Sequence, residues 1–414
     1  MNVAAMATAP TRVDRRLFIT LPIALVGVQI VVGGADLLLA AALDAVGPAS
    51  GSVTTFGVIT AVASFVALLV YPLAGHASDR TAVRMGRRSA WVVAGSLGSA
   101  AGLIVMSQAR SSAELGVGFV VVVAFVPVMV VPLYASIPDR IAVPRRGSIG
   151  ALVGAATIAG GIAGNVLAAG FATRIAAGTL VFAAVLVLGA AAFALFGGES
   201  RTIAPDDRLP DGGGQSPEYG PGRSGTVGHS ADFVWFTIGR FALFLAYAIV
   251  AALAYYVVRD YLGSTNPAAA VATFAVVTGS ATLLAALATG PWSDRIGRRK
   301  PFVVVAAGLL GAGVLVPAVA PTMTAFLVAA AIIGIGFGIY LAVGTALGTQ
   351  VLPDPSAAGR DIGLIGLANA GAAAVAPFLG SQAASTFGYP AMFALAAASA
   401  MAAMGALLRI RSVR

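Results

Sequence analysis

The chain has 414 residues, of which 59% are hydrophobic and 10% charged, with a formal net charge of +9 and no cysteine. An ordinary soluble domain carries about 25% charged residues, and a soluble chain this apolar could not cover its own surface. The composition excludes a soluble enzyme, a disordered chain and a disulfide-framed secreted scaffold, and it leaves a multi-pass membrane protein.

Spanning the hydrocarbon core takes about 20 residues per helix, so twelve spans need about 240 to 260 residues. Twelve apolar segments are found, at 17–43, 52–74, 90–107, 115–136, 149–172, 175–197, 233–257, 268–289, 302–320, 322–346, 362–384 and 389–408. None alternates polar and apolar residues as a barrel strand would, so the expected fold class is all-α with twelve transmembrane helices. The first segment runs 27 residues, longer than a signal-peptide core, and reads as a retained span. Between the sixth and seventh lies ESRTIAPDDRLPDGGGQSPEYGPGRSGTVGHSAD, too polar to span and rich in Gly, Pro and Ser. It reads as a flexible cytoplasmic linker. The expected organisation is an N-terminal six-helix half at 1–197, the linker at 198–231 and a C-terminal half at 232–414.

The connections alternate in charge. The N-terminus, the C-terminus and the connections 2–3, 4–5, 6–7, 8–9 and 10–11 together carry 21 basic residues. The other side has three, Arg110, Arg174 and Arg259, and Arg240 falls inside segment 7. By the positive-inside rule both termini are cytoplasmic, in a plasma (inner) membrane. The net positive charge belongs to these basic loops. No Lys/Arg-rich stretch with interleaved aromatics is present, so no nucleic-acid partner is expected.

The two halves repeat. The 2–3 connection begins GHASDR at Gly75 and the 8–9 connection GPWSDR at Gly290; Pro138-Asp139 with Arg145 returns as Pro353-Asp354 with Arg360. Both matches share an offset of 215 residues. Six is an even number of spans, so the halves enter the membrane in the same direction, the arrangement of parallel six-helix repeats.

The stretches GHASDRTAVRMGRRS and GPWSDRIGRRKP resemble the loop signature of the major facilitator superfamily, Gly-x-x-x-Asp-Arg-x-Gly-Arg-Arg. The first copy is four residues longer between Arg80 and Gly86, and in this it is similar to the sucrose-transporter-like branch and to the glycoside–pentoside–hexuronide cation symporters. The IPDRIAVPRRG and LPDPSAAGRD connections add to that likeness. The resemblance implies two halves rocking about a central cavity. It also implies that Asp79 latches the cytoplasmic side, with Arg80, Arg84 and Arg88 as partners, and that Asp294 and Arg298 do the same in the second half. Arg87, Arg295 and Arg299 complete the motif. On residues alone, Arg87, Arg88, Arg298 and Arg299 also serve as topology anchors. Both aspartates sit where a carboxylate can accept from open N–H groups of a neighbouring helix or pair with a loop arginine. Gly75, Gly86, Gly290 and Gly297 are expected to let the loop backbone approach the helix ends. Gly150, Gly154, Gly160 and Gly164 in segment 5 are read as helix-packing residues.

Two ionisable residues lie at membrane depth, where such groups are functional candidates. At about 1.5 Å per residue, Asp36 is about 21 to 28 Å along its helix and Arg240 about 10 Å along its own, so a direct pair is disfavoured. Asp36 is either a protonation site for coupling or a solvated carboxylate near the outer surface. Arg240 either binds an anionic group and polarises a cavity, or snorkels to the cytoplasmic face. Gln29, Tyr134, Asn165, Tyr247, Tyr255, Tyr340 and Asn369 are neutral polar residues at depth, able to hydrogen-bond a solute, although Tyr255 and Tyr256 fit the outer interfacial belt better. Trp91, Trp235 and Trp292 fall at cytoplasmic helix ends, leaving no mid-membrane tryptophan to stack on a sugar. Segment 5 lacks the Gly-Pro pair usual in drug/proton antiporters.

His76 and His229 have no metal spacing, and the glycines at 334, 336 and 338 lie inside a span, where they read as packing rather than as a dinucleotide loop. No cofactor, metal or enzymatic activity is expected. The sequence reads as a secondary transporter, a proton- or cation-coupled symporter of a sugar-like or other polar solute. A drug or metabolite exporter is the alternative, and a non-transporting receptor or scaffold the alternative of another class. Its partners are a small-molecule substrate, a coupling ion and the lipid bilayer.

Overall fold

A computed structural model describes residues 12–47, 51–80, 87–141, 145–197, 227–351 and 358–412. The described residues form helices and no strand. In chain order they are α1 (Arg12–Val46), α2 (Ser52–Arg80), α3 (Arg87–Gln108), α4 (Ser112–Arg140), α5 (Arg146–Phe171), α6 (Ile175–Phe196), α7 (Val227–Tyr256), α8 (Pro267–Ile296), α9 (Lys300–Val319), α10 (Met323–Gln350), α11 (Ala358–Phe387) and α12 (Tyr389–Leu408). A π-helical turn, Val257–Tyr261, continues α7. All twelve are long and apolar enough to cross a membrane, as the hydrocarbon interior demands of any segment that must satisfy its own backbone.

The helices outrun the apolar segments, chiefly at their arginine-rich ends. Gly75–Arg80 is the end of α2, Gly290–Ile296 the end of α8, and Asp139 and Arg140 close α4. The motifs expected in connections are therefore terminal helical turns. An apolar run measures the hydrocarbon layer, whereas a helix continues through the polar headgroup region with no cost to its backbone bonds. The opposite ends are capped locally. Ser111, Asn266 and Thr322 accept from the N–H groups of Glu114, Ala269 and Ala325 at the starts of α4, α8 and α10.

The described residues fall into two compact units, one within 1–47 and 66–202, the other within 48–65 and 203–414. The first half of α2 thus packs with the second unit. In the first unit α1 packs on α5 and α6, and α3 on α4 and α6. In the second unit α7 packs on α11 and α12, and α9 on α10 and α12. Each of these four pairings of the first unit recurs six helices later in the second, so the loop repeat extends to this part of the packing, while α8 also packs on α10 in the second unit.

Small residues set the helix crossings, as they do where no hydrophobic force separates protein from lipid. A Cβ on Gly33 would lie 2.6 Å from the Gly161 carbonyl oxygen, and one on Gly160 2.7 Å from the Gln29 Cβ. Gly164 sits on the Ile30 carbonyl and 3.0 Å from the Gly34 nitrogen by the same measure. Gly150 and Gly154 meet nothing within 4 Å, which corrects their reading as packing residues. In α10, Gly334 and Gly338 press on α8 at Thr278 and Thr282, while Gly336 presses on α9 at Ala306. That glycine run is packing on two sides.

Candidate functional site

A polar cluster lies within the second unit. Arg240, Phe244 and Tyr247 recur at i, i+4 and i+7 and share one face of α7. Arg240 is 8% exposed. Its Nε donates to Asn369 Oδ1 on α11 at 2.8 Å. Its guanidinium carbon lies 5.3 Å from the centroid of the Phe244 ring and 5.6 Å from that of Tyr340 on α10, within cation–π range. Tyr247 stacks flat on Phe337, centroids 4.1 Å apart, and Phe244 meets Phe337 edge-on. The Tyr340 hydroxyl is buried and makes no hydrogen bond among the described residues. Of the polar residues that the sequence expects at depth, Arg240, Tyr340 and Asn369 lie together, and Tyr247 joins them through Phe337 and Phe244. Asn369 holds the Arg240 head group within the second unit.

In the first unit Gln29, Gly33 and Asp36 lie at i, i+4 and i+7 on one half-exposed face of α1. Asp36 has neither hydrogen bond nor ion pair among the described residues, one turn beyond the Gly33–Gly161 crossing. Asn165 on α5 donates from Nδ2 to its own helix at the Gly161 carbonyl, 3.1 Å.

At the arginine-rich end of the first unit, Arg88 starts α3 with its side chain buried. Its Nε donates to Asp139 Oδ2 of α4 at 3.0 Å, Nη2 lies 2.9 Å from the same oxygen, and Nη1 donates to Ser78 Oγ of α2 at 2.7 Å. One arginine thus ties α2, α3 and α4 together. Arg140 donates to the Gly197 carbonyl. Arg145, before α5, is exposed. The side chains of Asp79, Arg87 and Arg360, and the whole of Arg84, Gly86 and Asp354, lie outside the described residues.

The second unit differs in detail. Asp294 is met by Arg299, Nη2 to Oδ1 at 3.5 Å, and Arg298 is exposed, which corrects the expected Asp294–Arg298 pair. Gly297 closes α8 in the left-handed conformation, φ +68°, and its N–H donates to Ser293. That turn aims Arg299 back across α8, where Nη1 also donates to the Ala346 carbonyl of α10 at 3.0 Å. The motif glycines consequently act otherwise than expected. Gly297 is required by its backbone conformation, a Cβ on Gly75 would make only an ordinary 3.7 Å contact, and Gly290 faces open space. Ser293, the repeat counterpart of Ser78, has a buried hydroxyl with no hydrogen bond among the described residues.

The sequence reading missed two further groups. Lys300 Nζ donates to the Leu408 and Ile410 carbonyls, and Asp232 accepts from the Arg411 and Ser412 N–H groups, so α7 and α9 together cap the end of α12. At the other end of the unit, Tyr256 is fully buried and donates to the Ser52 carbonyl at 3.3 Å, with Phe56 edge-on to its ring. Tyr255 is also buried. The first half of α2 packs on Tyr256, and Tyr255 lies edge-on to it. The π-helical turn carries Arg259 to Ser52 Oγ at 3.2 Å and Asp260 to the Tyr389 hydroxyl at 2.7 Å. A Ser-Val pair opening an apolar run carries no signal for either contact.

Residues 235–414 match the family model of the Major Facilitator Superfamily. No curated protein sequence matches the chain. Among solved structures, a peptide transporter POT in complex with sulfate superposes with a TM-score of 0.76 at 13% identity, covering 96% of each chain. A POT family transporter in complex with 5-aminolevulinic acid gives 0.74 at 11% identity, over 95% of this chain and 96% of that one. Another, in complex with a thioalcohol-conjugated peptide, gives 0.74 at 12% identity over 94% and 95%. The chain has the twelve-helix major facilitator fold.

Proposed function

We propose that the protein is a secondary active transporter of the major facilitator type that carries a small polar solute by alternating access, with the proton as its coupling ion. The observation that carries this reading is the repeat. The pairings of α1 with α5 and α6 and of α3 with α4 and α6 recur six helices later, and an Asp-Arg…Gly-Arg-Arg sequence stands at the basic end of both α2 and α8. A duplicated bundle with polar side chains at depth is the architecture of rocking transporters. Asp36 supports proton coupling, as an unpaired carboxyl inside a span. The 21-to-3 division of basic residues supports cytoplasmic termini in an inner membrane, with halves at 1–197 and 232–414 joined by a cytoplasmic linker. Asp79 and Asp294, with their arginines, act in this reading as latches on the cytoplasmic side. The loop likeness favours a sugar-like solute; the superposing transporters are described with peptide and amino-acid-like ligands.

Purified protein in proteoliposomes tests the reading with a panel of labelled sugars, short peptides and organic acids under imposed proton gradients. Uptake driven by an inward gradient supports symport. Proton-driven efflux would replace it with export, and saturable binding without flux would replace transport with a receptor role. Correctly inserted Asp79→Asn with unchanged turnover would remove the latch.

A further inference from the structure

We infer that Arg240, with Asn369 and Tyr340, forms a binding site for an anionic group, so that the transported solute carries a carboxylate, phosphate or sulfate; this rests on the transport reading above.

A guanidinium has five N–H groups in a planar fork and cannot be deprotonated in a protein. Only one donation from Arg240 is made among the described residues, Nε to Asn369. No carboxylate among them pairs with it, in contrast to Arg88, Arg259 and Arg299, which each meet an aspartate. Phe244 and Tyr340 lie near the guanidinium but accept no conventional hydrogen bond through their rings. The Tyr340 hydroxyl lies beside the guanidinium, but Nη1 and Nη2 meet no carboxylate or carbonyl among the described residues, the kind of partner that this edge takes bidentately.

The head group is also fixed. Asn369 anchors Nε, and the aromatic rings limit the swing of the guanidinium. The fork is therefore pre-oriented, and little side-chain entropy remains to be lost when an anion arrives. A second observation points the same way. The Tyr340 hydroxyl is buried beside the cation with no hydrogen bond among the described residues. Buried hydroxyls are normally satisfied, and an anionic oxygen held by Arg240 would accept from this one. Phe337, Phe244 and Tyr247 supply apolar and aromatic surface next to the charge, the composition expected of a small-molecule pocket. A permanent cation at this depth with no internal counter-charge is costly, and a solute bearing the counter-charge relieves that cost only while bound. A neutral sugar offers no such compensation.

The test uses purified full-length protein in nanodiscs. The probes are orthophosphate, sulfate, succinate, its neutral analogue succinamide, and glucose, read by thermal shift and calorimetry. At least one anion is expected to raise the melting temperature saturably, while succinamide and glucose do not. Arg240→Gln should weaken that anion more than tenfold. Arg240→Lys should weaken it less, since it keeps the charge and loses the fork. Asn369→Asp places a carboxylate against the guanidinium. It should raise the melting temperature without any ligand and abolish the anion response. The inference is overturned if the neutral probes match the anions, if Arg240→Gln leaves affinity unchanged, or if Asn369→Asp lowers the melting temperature. Anion binding with no flux would uphold this site and remove the transport reading. Flux of a neutral solute that is unaffected by Arg240→Gln would do the reverse.

Discussion

Arg240 on α7 donates through Nε to Oδ1 of Asn369 on α11 at 2.8 Å, across 129 residues of sequence. The bond joins two helices of one unit and holds a buried arginine of α7 in a fixed pose. Asn369→Leu removes the acceptor and leaves the Nε donor buried, at an expected cost of about 1–3 kcal/mol. Arg240→Met with Asn369→Leu should cost less than the sum of the single changes, because neither leaves a stranded partner. Thermal unfolding of the four proteins measures the coupling, and strict additivity would show that the bond contributes nothing.

The two motif arginines should differ in weight. Arg88 and Asp139 are 6% and 34% exposed at the side chain, and Arg88 also holds Ser78. Arg299 and Asp294 are 26% and 72% exposed and 3.5 Å apart. Breaking the first contact strands a buried charge, an effect reduced by the partial exposure of Asp139, and should cost about 1–3 kcal/mol. The second pair is exposed enough to contribute about 0–1 kcal/mol. Denaturation of Arg88→Ala and Arg299→Ala should rank them in that order, and equal losses would contradict it.

Glycines in α5 separate by what they touch. Gly164→Ala drives a methyl into the Ile30 carbonyl and the Gly34 nitrogen, both backbone. Backbone cannot step aside cheaply, so about 1–3 kcal/mol of destabilisation is expected. Gly154→Ala enters open space and gains about 1 kcal/mol or less of helix propensity. Melting temperatures should move in opposite directions.

The end of α12 depends on its caps. Lys300→Ala frees the Leu408 and Ile410 carbonyls, and Asp232→Ala frees the Arg411 and Ser412 N–H groups. Each should cost about 1–2 kcal/mol. Amide exchange at residues 408–412 should quicken while the centre of α12 stays protected, and unchanged exchange would mean that the last turn holds itself.

Much of this architecture could be read from the chain because the bilayer allows few solutions. A span must be about 20 apolar residues, so twelve runs meant twelve helices, and one repeated offset exposed the duplication that recurs in the packing. Arg240 and Asn369 were visible as polar residues in apolar runs. Their contact was not, since a spacing of 129 residues carries no periodicity. Helix ends were misread because apolar runs stop at the hydrocarbon edge while α2, α4 and α8 continue. Gly160 and Gly154 look alike in sequence, and only the neighbour opposite each one decides which is packing. The burial of Tyr256 under Ser52 and Phe56 depends on where the first half of α2 lies, which no local pattern encodes.

The most direct test of the account follows a single anion from binding to movement. Whichever of orthophosphate, sulfate or succinate most stabilises the purified protein is supplied as a radiolabelled tracer to proteoliposomes, with and without an inward proton gradient. The account predicts accumulation above the external concentration with the gradient, loss of that accumulation in Asp36→Asn, and loss of uptake in Arg240→Gln. Tracer that binds the protein but never exceeds its level in protein-free liposomes would contradict transport, and accumulation indifferent to the gradient and to Asp36→Asn would contradict proton coupling.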